Sequence, residues 1–285
     1  MEQRPRKDFV SRRGALALLG AATVVRNAGA AEQAIVQPIS LDHVNIRVAD
    51  VAKTAQFYMG LFDTPVLRNP SLRAQPNSPP GESFFLKFGD GYLVISPAFA
   101  PEMPGLDHYS LGLRDYVKAT LEAKLKDNGT PTQARSGGDV WLSDLDGSLM
   151  QLRQPGGWAR QTATPYQAPA RTGPALSPLS MSRIAIRSVD LTRAGDFYRR
   201  PFGTEIVSEA SSRSRAFSVG DSVLELVAAP ADVGRGLDHI RVAVKDFTIE
   251  AATRVLRERG IATTATPGAV SITDPNGLRI ELSAA

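Results

Sequence analysis

The chain has 285 residues, with 33 Lys and Arg against 29 Asp and Glu, three histidines and no cysteine. The lack of cysteine excludes disulfides and thiolate chemistry. Residues 1–30 hold six of the basic and two of the acidic side chains, leaving 27 of each sign, so the formal charge of +4 gives no reason to expect nucleic acid or a membrane surface as partner.

The N-terminus reads as an export signal. Arg4, Arg6, Lys7, Arg12 and Arg13 form a basic stretch, residues 14–25 an apolar run, and Ala28-Gly29-Ala30 a small-residue cleavage site. Ser11-Arg12-Arg13 resembles the twin-arginine motif, with Ala15 and Ala17 in place of its usual Phe and Lys. The apolar run is shorter than the roughly 20 residues a membrane span requires. The expectation is a signal peptide over 1–30 and a protein in the periplasm or outside the cell, with no membrane contact once the signal is removed.

Leu41-Asp42-His43-Val44-Asn45-Ile46-Arg47-Val48-Ala49-Asp50 is the first of four related stretches. Leu106-Asp107-His108 runs to Asp115, Ser182-Arg183-Ile184 to Asp190, and Leu237-Asp238-His239 to Asp246. Seven residues before each closing Asp stand His43, His108, Arg183 and His239, and these three histidines are all the chain has. Val44, Ile46 and Val48 alternate with His43, Asn45 and Arg47, predicting a strand with one apolar and one polar face. The apolar residues after each closing Asp recur at helical spacing, and that Asp is predicted to cap the helix. The row carrying His43 then faces away from the helix.

Further repetition divides the chain in two. Phe57-Tyr58 matches Phe197-Tyr198, Gly89-Asp90 matches Gly220-Asp221, and Asp144-Leu145-Asp146-Gly147 matches Asp274-Pro275-Asn276-Gly277. Asp146-Gly147 and Asn276-Gly277 predict two-residue hairpin turns before the last strand of each half. The aromatic pairs read as core. Residues 70–80, rich in Pro, Asn and Ser, predict a surface loop at a cavity mouth. Residues 154–179, rich in Pro, Gly, Ala and Thr, show no periodicity and read as a linker between domains over 41–153 and 180–285.

The Leu-Asp-His strand with its helix, the Phe-Tyr pair, the Gly-Asp hairpin and the Asp-Gly hairpin together resemble the vicinal oxygen chelate superfamily, which includes glyoxalase I, extradiol dioxygenases and bleomycin resistance proteins. The resemblance implies an α+β fold of four βαβββ modules, forming two domains with curved mixed sheets around concave cavities. It also implies up to four metal-binding positions per half. These are His43, Val94, His108 and Gln151 in the first, and Arg183, Glu225, His239 and Glu281 in the second. Glyoxalase-like members use four His/Gln and Glu ligands, and extradiol dioxygenases two His and one Glu.

His43, His108 and Gln151 make an uncharged site for a divalent metal (iron, manganese, zinc or nickel), with positions open for a substrate bearing adjacent oxygens and with no organic cofactor. In the second half the Arg183 guanidinium cannot ligate a cation and is expected to pair with Glu225, Glu281 or both, making a pseudo-site. Asn45, Arg47 and Ser110 share the face of His43 and His108 and are candidate substrate contacts. Three readings follow. The chain is a metal-dependent lyase, isomerase or extradiol-type dioxygenase; a metal-free protein that sequesters a small molecule; or an exported structural partner. A monomer or a homodimer fits each.

Overall fold

The computed structural model describes residues 34–72, 81–98, 104–135, 137–156, 159, 163–203, 213–230 and 236–285. The signal-like residues 1–30 and most of the loop expected over 70–80 lie outside them. Residues 32–285 form one compact body.

The first module runs β1 (Pro38–Val48), α1 (Val51–Leu61), β2 (Val66–Leu72), β3 (Gly81–Phe88), β4 (Gly91–Pro97). The second runs β5 (Gly105–Leu113), α2 (Lys118–Asp127), β6 (Thr132–Gln133), β7 (Val140–Ser143), β8 (Leu149–Arg153). After β9 (Thr164–Tyr166), the third contributes β10 (Pro178–Ser188), α3 (Leu191–Phe202), β11 (Ser214–Val219) and β12 (Ser222–Ala228). The fourth contributes β13 (Gly236–Val244), α4 (Ile249–Glu258), β14 (Thr264–Thr266), β15 (Ala269–Thr273) and β16 (Arg279–Ser283). No helix among the described residues is long and apolar enough to cross a membrane.

The sheets are mixed, as expected. The first has the order β6-β7-β8-β5-β1-β4-β3-β2-β9 and the second β11-β12-β10-β13-β16-β15-β14. Each module's first strand is parallel to its last: β1 to β4, β5 to β8, β10 to β12 and β13 to β16. A parallel pair requires a long crossover, and the helix near the start of each module lies within it. Antiparallel pairing of β1 with β5, and of β10 with β13, joins two modules into each half.

Two of the four predicted helix caps are seen. Asp50 accepts from Lys53 N, and Asp190 from Thr192 N and Arg193 N. Asp115 and Asp246 instead take left-handed backbone conformations, with φ of 50° and 51°. That turn delays helix entry, so α2 starts behind Val117 without a side-chain cap and α4 behind Thr248, whose hydroxyl accepts from Ala251 N. Asp tolerates this conformation better than most residues, which suits it to the turn.

Val44, Ile46 and Val48 are buried in one continuous core with Tyr58 of α1 and Phe62 just after it, and the same core takes in Ile184, Ile186, Tyr198 and Ile240 of the second half. Polar contacts cross between the halves inside it. Tyr58 donates to Asp274 Oδ2 at 3.0 Å, and Tyr198 donates to Asp144 Oδ2 at 2.9 Å while its oxygen lies 2.8 Å from the Tyr109 hydroxyl. Burial pushes all three tyrosine hydroxyls well above their ordinary range, so they remain donors. The repeated Phe-Tyr and Asp-x-Asp/Asn-Gly motifs thus meet each other across the halves. The repeated Gly-Asp turns also touch the opposite half: a Cβ on Gly89 would lie 2.1 Å from Leu179 O, and one on Gly220 2.2 Å from Ile39 O.

Part of the expected linker is built into the first half. Thr164–Tyr166 pairs with Val66–Arg68 at the sheet edge, and Ala159 and Ala163 pack on Leu67, Phe85 and Val94. A three-residue edge strand is too short to leave a period in the sequence.

Candidate metal and substrate site

His43 sits on β1, His108 on β5 and Gln151 on β8. His43 faces Ser110 across the β1–β5 ladder, and Ser110 pairs in turn with Gln151. The histidine Nε2 atoms are 2.8 Å apart, with the rings edge to face at 5.0 Å between centroids.

Each Nδ1 is held by the carboxylate of the residue before it: His43 by Asp42 Oδ1 at 2.8 Å, His108 by Asp107 Oδ2 at 2.6 Å. Adjacent residues on a regular strand point to opposite faces. Here the register shifts between Leu41 and His43, where Asp42 is the extra residue on β1, and between Asn45 and Ile46, where Asp107 is the extra residue on β5. These bulges bring each Asp beside its own histidine. Three Leu-Asp-His triplets were the available signal, but strand alternation hides the contact.

An ionised carboxylate only accepts, so each Nδ1 carries the hydrogen and each neutral ring turns a lone pair outward at Nε2. Two lone pairs at 2.8 Å repel unless one ring takes an extra proton or a cation sits against both. Burial favours neutral His43, lowering its pKa to about 4 despite the hydrogen bond it donates to Asp42. A histidine oriented by a carboxylate through one nitrogen and open at the other is the usual arrangement behind a metal ligand.

Gln151 fits the same role. Its Nε2 donates to Asp139 Oδ2 at 2.6 Å, fixing the amide, while its buried Oε1 has no hydrogen-bond partner among the described residues. The buried Ser110 hydroxyl likewise has none. The candidate donors are therefore two imidazole nitrogens and an amide oxygen on neighbouring strands, and no group of three or more His, Asp or Glu that could hold a metal occurs among the described residues.

Asn45 and Arg47 bear on Asp107. Asn45 Nδ2 donates to its Oδ2 at 3.0 Å, and Arg47 Nη2 lies 2.6 Å from its Oδ1. Burial opposes ionisation of Asp107, but the His108 hydrogen bond and charge, with Arg47, outweigh it and hold the carboxyl below its usual range. On the β7 side the Trp141 ring stands edge to face 5.0 Å from His108, with the Arg135 guanidinium 4.6 Å over it. On the other side Val94, Leu67, Phe85, Ala159 and Ala163 form an apolar cluster with Tyr92.

The second half places different chemistry on the same positions. Arg183 Nη1 pairs with Glu225 Oε2 at 2.6 Å. Glu281 is engaged instead by Arg241, with Nε and Nη2 at 2.9 and 2.6 Å from one oxygen, and by Arg279 Nη1 at 3.4 Å. His239 Nδ1 meets Asp238 at 2.8 Å and its Nε2 lies 3.5 Å from Glu281. Burial raises the pKa of Glu281, but the positive neighbours prevail and lower it. Three guanidiniums around these carboxylates do not suit a cation. Arg241 and Arg279 were missed in the sequence, although alternation from His239 puts Arg241 on the same row as Glu281.

Residues 180–282 match the family described as Glyoxalase/Bleomycin resistance protein/Dioxygenase superfamily. Solved structures with the same fold extend the likeness to both halves. A catechol 2,3-dioxygenase aligns with TM-score 0.63 and 15% identity over 88% of this chain and 89% of its own. The family match thus covers the second half, and the chain as a whole has the fold of these structures. The 2,3-dioxygenase LapB from Pseudomonas sp. KL28 aligns with TM-score 0.62 and 16% identity, covering 88% and 94% of the two chains. The Mn(II)-bound glyoxalase from Novosphingobium aromaticivorans gives 0.59 and 15%, covering 87% and 83%. No curated protein sequence matches. At these identities the likeness concerns the vicinal oxygen chelate fold, and the chemistry rests on the chain's own residues.

Proposed function

We propose that the first half holds a divalent metal through His43 Nε2, His108 Nε2 and Gln151 Oε1, and that the protein is a metal-dependent enzyme acting on a small substrate with two adjacent oxygens. The observation that carries this is the 2.8 Å approach of two Nε2 atoms whose Nδ1 atoms are both on carboxylates. The metal would supply Lewis-acid polarisation of the substrate oxygens. Asp42 and Asp107 keep the histidines in the ligating tautomer, Asn45 and Arg47 steady Asp107, and Asp139 holds the Gln151 amide by its nitrogen, leaving the oxygen to ligate. Trp141 offers an aromatic wall. Val94 stands where a glyoxalase-like site has Glu, so the row lacks a carboxylate to move a proton, and extradiol-type cleavage is favoured over isomerisation. Among solved relatives, a catechol 2,3-dioxygenase supports this direction. Residues 1–30 are proposed to direct export.

A second reading, a metal-free binder of a small aromatic compound, is favoured by the apolar cluster around Val94 and Ala159. Loading the protein with iron(II), manganese(II), nickel(II) or zinc and following catechol absorbance separates the two. Metal-dependent turnover that is lost in His108→Ala supports the enzyme. Ligand-induced thermal stabilisation that persists in chelator, without turnover under any metal, supports the binder.

A further inference from the structure

A cavity of about 460 Å³ opens between the halves; Arg47 and Arg187 are among its lining residues, and His43 and His108 are not. Its walls come from equivalent places in the repeat. Ile46 and Leu106 face it from one half, Leu237 and Leu278 from the other, and Asp146 stands at its side. That volume lies in the range of small-molecule sites and far exceeds what a lone ion needs.

Asp146 breaks the symmetry of the repeat. Its counterpart in the second half is Asn276, whose Nδ2 donates to Thr54 Oγ1 on α1 at 3.0 Å. The residue of α3 that corresponds to Thr54 is Ala194, which has no hydroxyl. One side of the interface therefore has an amide joined to a hydroxyl, and the other has a carboxylate with alanine at the position of that hydroxyl. Asp146 is 93% buried and its carboxylate has no hydrogen bond or ion pair among the described residues. The charges nearby are already engaged: Arg47 with Asp107, Arg187 with Asp238, and Asp274 with Tyr58 and its own turn. A buried carboxylate without a counter-charge is costly, and a ligand cation would offset that cost. Asp144 adds negative charge two residues away.

We propose that this cavity is a second ligand site, distinct from the histidine site, which takes a small organic ammonium whose charged nitrogen meets Asp146 and whose apolar body lies against Ile46, Leu106, Leu237 and Leu278. Ile46, Leu106 and Leu237, from the first strands of three modules, and Leu278, from the last hairpin, give the body a shaped bed, while the single unpaired carboxylate sets the sign of the charge.

Calorimetric titration of the full chain with benzylamine, beside its neutral analogue benzyl alcohol, tests this. Benzylamine is expected to bind saturably and benzyl alcohol much more weakly. Asp146→Asn, which installs the amide found at 276, is expected to weaken benzylamine by roughly tenfold or more, as loss of a charge-assisted hydrogen bond would. Leu278→Trp, which fills the cavity from the opposite half without touching Asp146, is expected to weaken it comparably, and His108→Ala to leave it unchanged. No saturable benzylamine binding, equal binding of the alcohol, or undiminished affinity in Asp146→Asn would overturn the assignment. Circular dichroism of each variant confirms that the fold is retained.

Discussion

Tyr198→Phe removes one oxygen from the interface between the halves, and its cost can be worked from the contacts. The hydroxyl donates to the Asp144 carboxylate at 2.9 Å and can accept from Tyr109 at 2.8 Å. A hydrogen bond to a charged group contributes about 1.5–3 kcal/mol, and stranding the buried Tyr109 hydroxyl costs about 1–3 kcal/mol more, so a loss of about 3–5 kcal/mol is expected. Tyr58→Phe is the informative comparison. Asp274 keeps the backbone donors of Asn276 and Leu278 and the Asn276 amide, and no second hydroxyl is stranded. Its cost should stay near 1.5–2 kcal/mol. Urea unfolding followed by tryptophan fluorescence, at a pH where both carboxyls are ionised, measures both variants. Equal losses, or a larger loss for Tyr58→Phe, would refute the reasoning, because the difference rests on the Tyr109–Tyr198–Asp144 chain.

Other outcomes follow from the sites. In chelator, stability should fall as pH drops from 6.5 toward 4, because the unfolded His43 takes up a proton before the folded one, whose pKa is about 4. The depressed value means the contribution is complete above 6.5 and lost below about 4, roughly 3 kcal/mol in all, and urea midpoints of His43→Gln should show a correspondingly shallower acid loss. Asp107→Asn should weaken metal binding about 10–100-fold in competition titrations by loosening His108. Arg183→Met should destabilise by about 3–5 kcal/mol through stranding Glu225, with much of that recovered in Arg183→Met/Glu225→Leu; equal losses in both would show that the ion pair is not the cause.

The sequence made the repeat, the two halves and the position of each module's first strand legible, because an apolar alternation of period two and a closing Asp recur four times. The site was harder to read. The positions of His43, His108 and Gln151 came from the resemblance, but the carboxylates behind the histidines depend on β-bulges at Asp42 and Asp107, and a bulge is visible only once two strands are paired. Asp115 and Asp246 looked like helix caps because they share spacing with Asp50 and Asp190, yet their left-handed conformation turns them into entry bends. Partners distant in sequence, such as Tyr58 with Asp274, follow from the packing of halves and leave no local signal.

The central claim is that the first half, and not the second, carries the metal. Elemental analysis of the protein purified without chelator, beside His43→Ala and Glu281→Ala, tests it most directly. The account predicts near-stoichiometric divalent metal in the parent protein and in Glu281→Ala, and its loss in His43→Ala. Metal retained by His43→Ala and lost in Glu281→Ala, or absent from every sample after reloading, would contradict it.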